Sequence, residues 1–234
     1  MISKTNHTAI LFFSRTEKEE AVHKQFLPSK NKKANKKIAA CLVKNSLNVV
    51  EKTNITYFYI DSNHQYGSTF GEKLSNAIQS IFNKGFNNVI SIGNDCPNLS
   101  EKDILKAANN LEKGITTIGP TVDGGIYLLG INEKSFCFDK FKNLNWQTNT
   151  LVSELKNYFS TQSKTFISLD KKGDIDSFTD LNTYLNHDSN SQFSIAIKEI
   201  INTLLTQFQL HFNQVSTRKP NAFLFGLRAP PLAA

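Results

Sequence analysis

Cysteine and long apolar segments are both scarce in this chain, and each shortage excludes a class of protein. The three cysteines are widely spaced and form no Cys-x-x-Cys pair or cluster with histidine, which argues against a zinc site and a disulfide framework. The apolar run nearest the N-terminus, residues 9–13, is too short for the hydrophobic region of a signal peptide or for a membrane span. We therefore expect a cytoplasmic protein with no membrane partner.

Lysine, by contrast, is abundant, and the formal net charge is +7. Such an excess favours a polyanionic partner, for example a nucleic acid or a phosphorylated metabolite. Five lysines cluster near residue 33, at Lys30, Lys32, Lys33, Lys36 and Lys37. We interpret them mainly as the solvated start of a helix, because no recognition helix or RNA-binding signature accompanies them. Nucleic-acid binding by this cluster stays a minor alternative.

Strand-like and helix-like segments alternate along the chain. Short segments rich in β-branched and aromatic residues predict strands at 8–13, 55–60, 89–92, 115–118, 126–131 and 165–169. Helical periodicity fills the intervals, and Ser100 with Asp103 and Ser177 with Asp180 have the spacing of capping boxes. The alternation predicts a Rossmann-like α/β fold, a three-layer sandwich whose mixed, mostly parallel sheet has helices on both faces.

The pattern changes near residue 190. Residues 1–189 hold the alternating strands and helices and are predicted to form the α/β domain. Residues 190–234 are predicted to form a C-terminal helix followed by a tail that begins near Ser216. The tail contains Phe223, Leu224 and Phe225, which are too apolar for a purely solvated segment. We expect it to pack on the domain or on a second subunit, the latter giving a homodimer; a disordered tail is the equally open alternative.

Ligands of open parallel sheets bind beyond the carboxyl ends of the strands. This rule directs attention to the segments that follow Phe13, Ile92 and Leu169. After Ile92, Gly93 is expected to allow a tight exit from the strand, so that Asp95 projects from its carboxyl end. A carboxylate fixed there suits Mg²⁺ or Mn²⁺, which prefer oxygen ligands. An ordinary turn residue is the equally open alternative.

Two further acidic segments could contribute to the same edge of the sheet. Asp123-Gly124-Gly125 lies between two predicted strands, where it can form a hairpin turn or let a ligand approach the backbone closely. Asp174 and Asp176 are two residues apart and can face the same way from an extended segment. Without a cation they would repel each other; their alternative role is charge complementarity at a helix N-terminus.

Four motifs together resemble a known family. They are IGNDCPNL at 92–99, GPTVDGGIYLLGI at 119–131, NWQTNTL at 145–151 and DIDSFTDL at 174–181. Their order and spacing resemble a bacterial family of unknown function with the glycosyltransferase-A (nucleotide-diphospho-sugar transferase) fold, a distant relative of molybdenum-cofactor and phospholactate guanylyltransferases. The resemblance extends over residues 70–185.

The resemblance implies a role for each motif. Asp95 takes the position of the metal-binding aspartate, and Asp174 or Asp176 lies near a second metal-ligand position. Asp123 falls in the loop on the acceptor side. Trp146 and Thr148 match a Trp-x-Thr element that lines the acceptor pocket, although Trp146 as core filler is an equal alternative. The other expected residues for binding substrate and nucleotide are Arg15, Gly93, Gly124 and Gly125.

The segment after the first strand departs from the family pattern. Relatives carry a loop of the type Lys-x-Pro-x-x-Gly-x-x-Lys-Thr-Arg-Leu that holds nucleotide phosphates, whereas no glycine precedes Gly67 in this chain. Arg15 is one candidate for a substitute phosphate contact, and Lys30, Lys32 or Lys33 is another.

Three functions remain in competition at this point. The first is a transferase dependent on Mg²⁺ or Mn²⁺, with Asp95 and Asp123 as catalytic residues and a nucleotide or nucleotide-sugar as the small-molecule partner. It would transfer either a glycosyl or a nucleotidyl group. The second is a degenerate relative that binds a ligand or protein partner without turnover. The third is nucleic-acid binding.

Overall fold

The computed structural model of the protein describes residues 7–28, 31–162 and 164–216. Its strands are β1 (Thr8–Phe13), β2 (Tyr57–Ile60), β3 (Asn88–Ile92), β4 (Thr116–Pro120), β5 (Ile126–Asn132) and β6 (Phe166–Ser168). Its helices are α1 (Glu17–His23), α2 (Lys32–Lys52), α3 (Phe70–Phe82), α4 (Glu101–Glu112), α5 (Phe138–Lys142), α6 (Leu151–Thr161), α7 (Phe178–His187) and α8 (Gln192–Ser216).

The strands form one sheet in the order β2-β1-β3-β5-β4-β6. β5 runs antiparallel to both of its neighbours, whereas the β1–β2, β1–β3 and β4–β6 pairs are parallel. β4 and β5 are consecutive in the chain and pair as a hairpin. The predicted mixed, mostly parallel sheet is therefore confirmed.

Helices cover both faces of this sheet. β1 is buried along its whole length, and its side chains alternate between the faces. Ala9, Leu11 and Phe13 join the core beneath α3, α5 and α6. Ile10 and Phe12 join a second core beneath α2 and α4. The two cores make a three-layer α/β sandwich, as predicted.

The C-terminal helix contacts the α/β domain. Phe193 and Ile197 of α8 pack against α2 and α7 in a third apolar cluster. The prediction for the tail after Ser216 concerns residues outside the described ranges. Within those ranges, no helix has both the length and the apolar character that crossing a membrane requires.

Two capped helices fix the loops at the carboxyl edge of the sheet. Ser100 accepts a hydrogen bond from the backbone N–H of Asp103, whose carboxylate accepts from the Ser100 backbone N–H (2.9 Å). Ser177 and Asp180 make the same reciprocal pair, with the Ser177 N–H donating at 2.8 Å. Both predicted capping boxes are confirmed. Each begins a helix directly after an acidic loop, so both loops are anchored on one side by rigid structure.

Candidate functional site

A cavity of about 730 Å³ opens at the carboxyl edge of the sheet. The segments after β1 and β3, the β4–β5 turn and residues 174–176 all contribute to its lining. Two contacts hold the segment after β3 against the one after β6. The backbone N–H of Ile175 donates to the Asp95 carbonyl (2.8 Å), and Lys172 Nζ donates to the Asn98 carbonyl (2.8 Å). The acidic segments singled out in the sequence therefore converge on one cavity.

Lys24 occupies the centre of the acidic part of this cavity and was not predicted from the sequence. Its side chain is 8% exposed, and Nζ lies 2.9 Å from Glu20 Oε1 and 2.7 Å from Asp176 Oδ1. Nζ also forms an ion pair with Asp95 Oδ1 and donates to the Ile175 carbonyl at 3.3 Å. Burial disfavours the charged form, but the three carboxylates outweigh it and raise the pKa of Lys24 above its ordinary value.

The short helix α1 delivers this lysine. Thr16 caps α1 by accepting a hydrogen bond from the Glu19 N–H (3.4 Å). Glu20 and Lys24 are four residues apart, so both side chains lie on the face of α1 that points into the protein. Glu20 is 1% exposed. The Thr16-x-x-Glu19 spacing is a helix-start signal that could have revealed α1 in the sequence.

Asp95 contacts the Lys24 ammonium through Oδ1. Its side chain is partly exposed, but Oδ1 is shielded from water and faces the ammonium. Desolvation raises the pKa of Asp95, against the opposing effect of the Lys24 charge. Asp95 therefore shares a cation with Asp176, but that cation is a lysine.

Asp123, Asp174 and Asp176 form a carboxylate group suited to a metal ion. One ligand oxygen from each lies within 4.8 Å of the others. Desolvation, followed by the charges of Asp176 and Asp123, raises the pKa of Asp174 to about 6. Three oxygen donors whose mutual repulsion a cation would relieve fit a hard divalent ion. The group contains Asp123 in place of the Asp95 predicted from the sequence.

The β4–β5 turn holds Asp123 in this position. Asp123 Oδ1 accepts hydrogen bonds from the backbone N–H of Gly125 (3.1 Å) and from the Thr121 hydroxyl. The hairpin interpretation of Asp123-Gly124-Gly125 and its place in the cavity are therefore compatible, since Gly125 also lines the cavity.

The glycines serve different purposes from those expected. Gly93 has no left-handed backbone, and a Cβ there would meet no atom within 4 Å, so neither its conformation nor its surroundings require a glycine after β3. Gly124 has φ +98°, and a Cβ there would collide with the Asn149 backbone. The group that approaches Gly124 closely is thus the Asn149 backbone rather than a ligand, and Gly124 does not line the cavity. Gly93 and Gly125 do line it.

Arg15 and the lysine cluster differ in their relation to the cavity. Arg15 lines it, with a side chain that is 35% exposed and Nη1 3.5 Å from Glu20 Oε2. The described lysines of the cluster are exposed on the first turns of α2 and do not line the cavity; they are Lys32, Lys33, Lys36 and Lys37. Lys30 lies outside the described residues. Among the predicted phosphate contacts that the structure describes, Arg15 is therefore the one that lines the cavity.

An aromatic wall lines the part of the cavity that includes residues 146–149. Trp146 Nε1 donates to the Phe141 carbonyl (2.9 Å). The centroid of the Trp146 ring lies 5.7 Å from that of Phe70 and 4.9 Å from that of Phe141. Trp146 is therefore both a core residue and a lining residue. Thr148 lines the cavity, and its hydroxyl donates to the Asn145 carbonyl (2.7 Å).

Negative charge dominates the lining. Six carboxylates line the cavity, at Glu19, Glu20, Asp95, Asp123, Asp174 and Asp176. Against them stand Arg15, Lys24 and Lys73. Asn94 is 3% exposed, and its Nδ2 has no acceptor among the described residues. The lining thus carries more negative than positive charge, and it contains one buried donor without an acceptor.

Residues 51–148 match the model of the family DUF2064, described as an uncharacterized protein conserved in bacteria. The matched segment holds the motifs at 92–99 and 119–131 and the first four residues of the motif at 145–151, and it confirms the predicted resemblance over those residues. The comparison with curated proteins returns no match.

Solved structures share the fold. A candidate nucleotide-diphospho-sugar transferase from Desulfovibrio desulfuricans G20 is 22% identical and aligns over 86% of this chain and 98% of its own, with a TM-score of 0.75. A manganese complex of Rv0371c from Mycobacterium tuberculosis H37Rv is 9% identical over 77% and 99%, with a TM-score of 0.43. A cytidylyltransferase from Leptospira borgpetersenii is 12% identical over 87% and 95%, with a TM-score of 0.41. The first similarity establishes the fold, and the other two are too distant to carry an argument.

Proposed function

We propose that the protein is a metal-dependent transferase that uses a nucleotide-activated donor and transfers either a glycosyl or a nucleotidyl group. The observation that carries the proposal is the group of Asp123, Asp174 and Asp176, whose ligand oxygens lie within 4.8 Å of one another in the main cavity. The fold shared with the Desulfovibrio desulfuricans protein supports a nucleotide-diphospho-sugar as the donor class.

The carboxylate group would hold the divalent ion. Asp174 and Asp176 are held in place by the capped start of α7 and by the Ile175 N–H bond to the Asp95 carbonyl. Mg²⁺ or Mn²⁺ bound there would supply Lewis-acid neutralisation of the donor phosphates. Arg15, exposed in the same cavity, would contact a phosphate, and the unpaired Asn94 amide is a second available donor.

Asp123 is assigned to the acceptor side. Its turn touches the segment that carries Trp146 and Thr148, because the Gly124 carbonyl accepts from the Val152 N–H (3.3 Å) and Gly124 packs on the Asn149 backbone. A carboxylate beside the aromatic wall can accept the proton of an acceptor hydroxyl. Trp146 offers an apolar face against which a sugar or another ring can pack.

A thermal-shift panel of nucleotides and nucleotide-sugars, with and without Mn²⁺, tests the proposal. A ligand at one hundred times its dissociation constant stabilises by about 2.7 kcal/mol, which for a chain of this size raises Tm by roughly 5–11 °C. The shift should require Mn²⁺ and disappear in Asp174→Asn, but persist in Asp139→Asn, an exposed aspartate of α5. An identical shift in Asp174→Asn, or no shift with any nucleotide, contradicts the proposal.

The second candidate is a relative that binds its ligand without turnover. The observation that favours it is α1, which places Glu19 and Glu20 in the cavity where relatives are expected to have a basic, glycine-containing loop. Incubation of the protein with any nucleotide donor that gives a Mn²⁺-dependent shift separates the two functions. Release of free nucleotide or pyrophosphate that is lost in Asp123→Asn supports the transferase; binding without release supports the second candidate.

A further inference from the structure

The oxygen atoms around Lys24 form a shell of the kind that hard cations occupy. Nζ contacts one oxygen each of Glu20, Asp95 and Asp176 and the carbonyl oxygen of Ile175. Three carboxylates and one carbonyl are also the ligand types that Mg²⁺ and Ca²⁺ prefer. The contact with the Ile175 carbonyl is a hydrogen bond, and the three carboxylates contact Nζ as ion pairs.

Lys24 is fixed in this shell by the backbone at the end of α1. Its N–H donates to the Glu20 carbonyl (2.8 Å), and the next residue, Gln25, pairs with Ser177 in a parallel bridge. The side chain is 8% exposed, so the aliphatic stem is packed along its length. Movement of the ammonium out of the shell would leave the buried carboxylate of Glu20 with only the longer contact to Arg15 at 3.5 Å.

We propose that the Lys24 ammonium is a built-in cation that occupies the place of a divalent ion between Asp95 and Asp176. It excludes a metal from Asp95 by like-charge repulsion and by occupying Oδ1. A divalent ion then binds on the opposite side of Asp176, to Asp174 and Asp123. The inference rests on the proposed function only for the choice of a divalent cation as the ligand.

Mn²⁺ binding without nucleotide, measured by titration calorimetry and by electron paramagnetic resonance, tests this assignment. The variants are Asp95→Asn, Lys24→Met and the double variant Lys24→Met/Asp95→Asn. Lys18→Met is the matched control, because Lys18 is an exposed lysine of the same helix. Lys24→Gln replaces Lys24→Met if the latter does not fold.

We expect Asp95→Asn and Lys18→Met to change the Mn²⁺ affinity less than threefold. Lys24→Met should bind Mn²⁺ at least tenfold more tightly or bind a second ion, since it exposes an empty oxygen shell. That gain should vanish in the double variant. A tenfold loss of affinity in Asp95→Asn alone, or no gain in Lys24→Met, overturns the assignment.

These outcomes are independent of the proposed transferase. A protein that binds no nucleotide would still gain an Asp95-dependent Mn²⁺ site on removal of the Lys24 charge. Conversely, Mn²⁺-dependent nucleotide binding by a protein whose affinity for the ion requires Asp95 would retain the transferase and refute the role of Lys24.

Discussion

Removal of the Lys24 charge should destabilise the protein by an amount that depends on how exposed the neighbouring carboxylates are. Loss of one partner from a buried ion pair costs about 3–5 kcal/mol, because the other charge stays buried. In Lys24→Met the carboxylate of Glu20, with a side chain only 2% exposed, would keep only the longer contact with Arg15 at 3.5 Å. The side chains of Asp95 and Asp176 are 42% and 53% exposed and can regain water. We therefore expect the lower end, about 3 kcal/mol, or a Tm lower by roughly 6–12 °C.

Urea unfolding at pH 7 in a metal-free buffer measures this loss. Lys18→Met, on the exposed side of α1, should lie within about 0.5 kcal/mol of the wild type. Addition of Glu20→Gln should recover part of the loss, because it removes the buried charge that Lys24→Met leaves with Arg15 as its remaining partner. The role of Lys24 as the main counter-ion of Glu20 would be contradicted if the free energy of unfolding of Lys24→Met lay within about 1 kcal/mol of the wild type. It would also be contradicted if Glu20→Gln recovered none of the loss.

Other predictions follow from the same site. Mn²⁺ affinity should fall as the pH drops below about 6, because the pKa of Asp174 is raised to about 6 and its protonated form cannot ligate the ion; calorimetry in Asp174→Asn should show no such midpoint. Without metal, the raised pKa of Asp174 means that the folded state binds a proton more readily than the unfolded state between pH 3.8, the ordinary pKa, and about pH 6. Acidification across this window should therefore stabilise the wild type relative to Asp174→Asn. Gly124→Ala should lower the free energy of unfolding by at least about 1–3 kcal/mol, because its backbone is left-handed and Asn149 lies against it. Gly93→Ala should be neutral in the same assay, within about 0.5 kcal/mol, and equal losses for the two would contradict the assignment of their roles.

The sheet and its edge could be predicted because they follow from periodicity and from a general rule. Buried strands such as β1 and β3 are short and largely apolar, and their carboxyl ends meet at one edge of the sheet because the two strands are parallel. This was enough to bring the segments around Asp95 and Asp174 together. The capping boxes at Ser100 and Ser177 were equally local, since cap and partner are three residues apart.

The centre of the site could not be predicted from such local signals. α1 has the sequence EKEEAVH, which lacks an apolar stripe, and a Glu20–Lys24 pair with that spacing is typical of a solvated helix. Only the tertiary contacts of Lys24 with Asp95 and Asp176 bury it. The presence of Asp123 rather than Asp95 in the carboxylate group depends on distances that sequence spacing does not encode. The need for glycine at Gly124, and not at Gly93, likewise depends on dihedral angles and neighbouring atoms.

A crystal structure of the protein with Mn²⁺ and a nucleoside diphosphate, with anomalous scattering to locate the ion, would show directly which carboxylates bind the ion. We predict one Mn²⁺ among Asp123, Asp174 and Asp176, at roughly 2.0–2.6 Å from their oxygens, with Lys24 still in contact with Asp95. An ion bound to Asp95 with Lys24 displaced, or no ion in the cavity, would contradict the account.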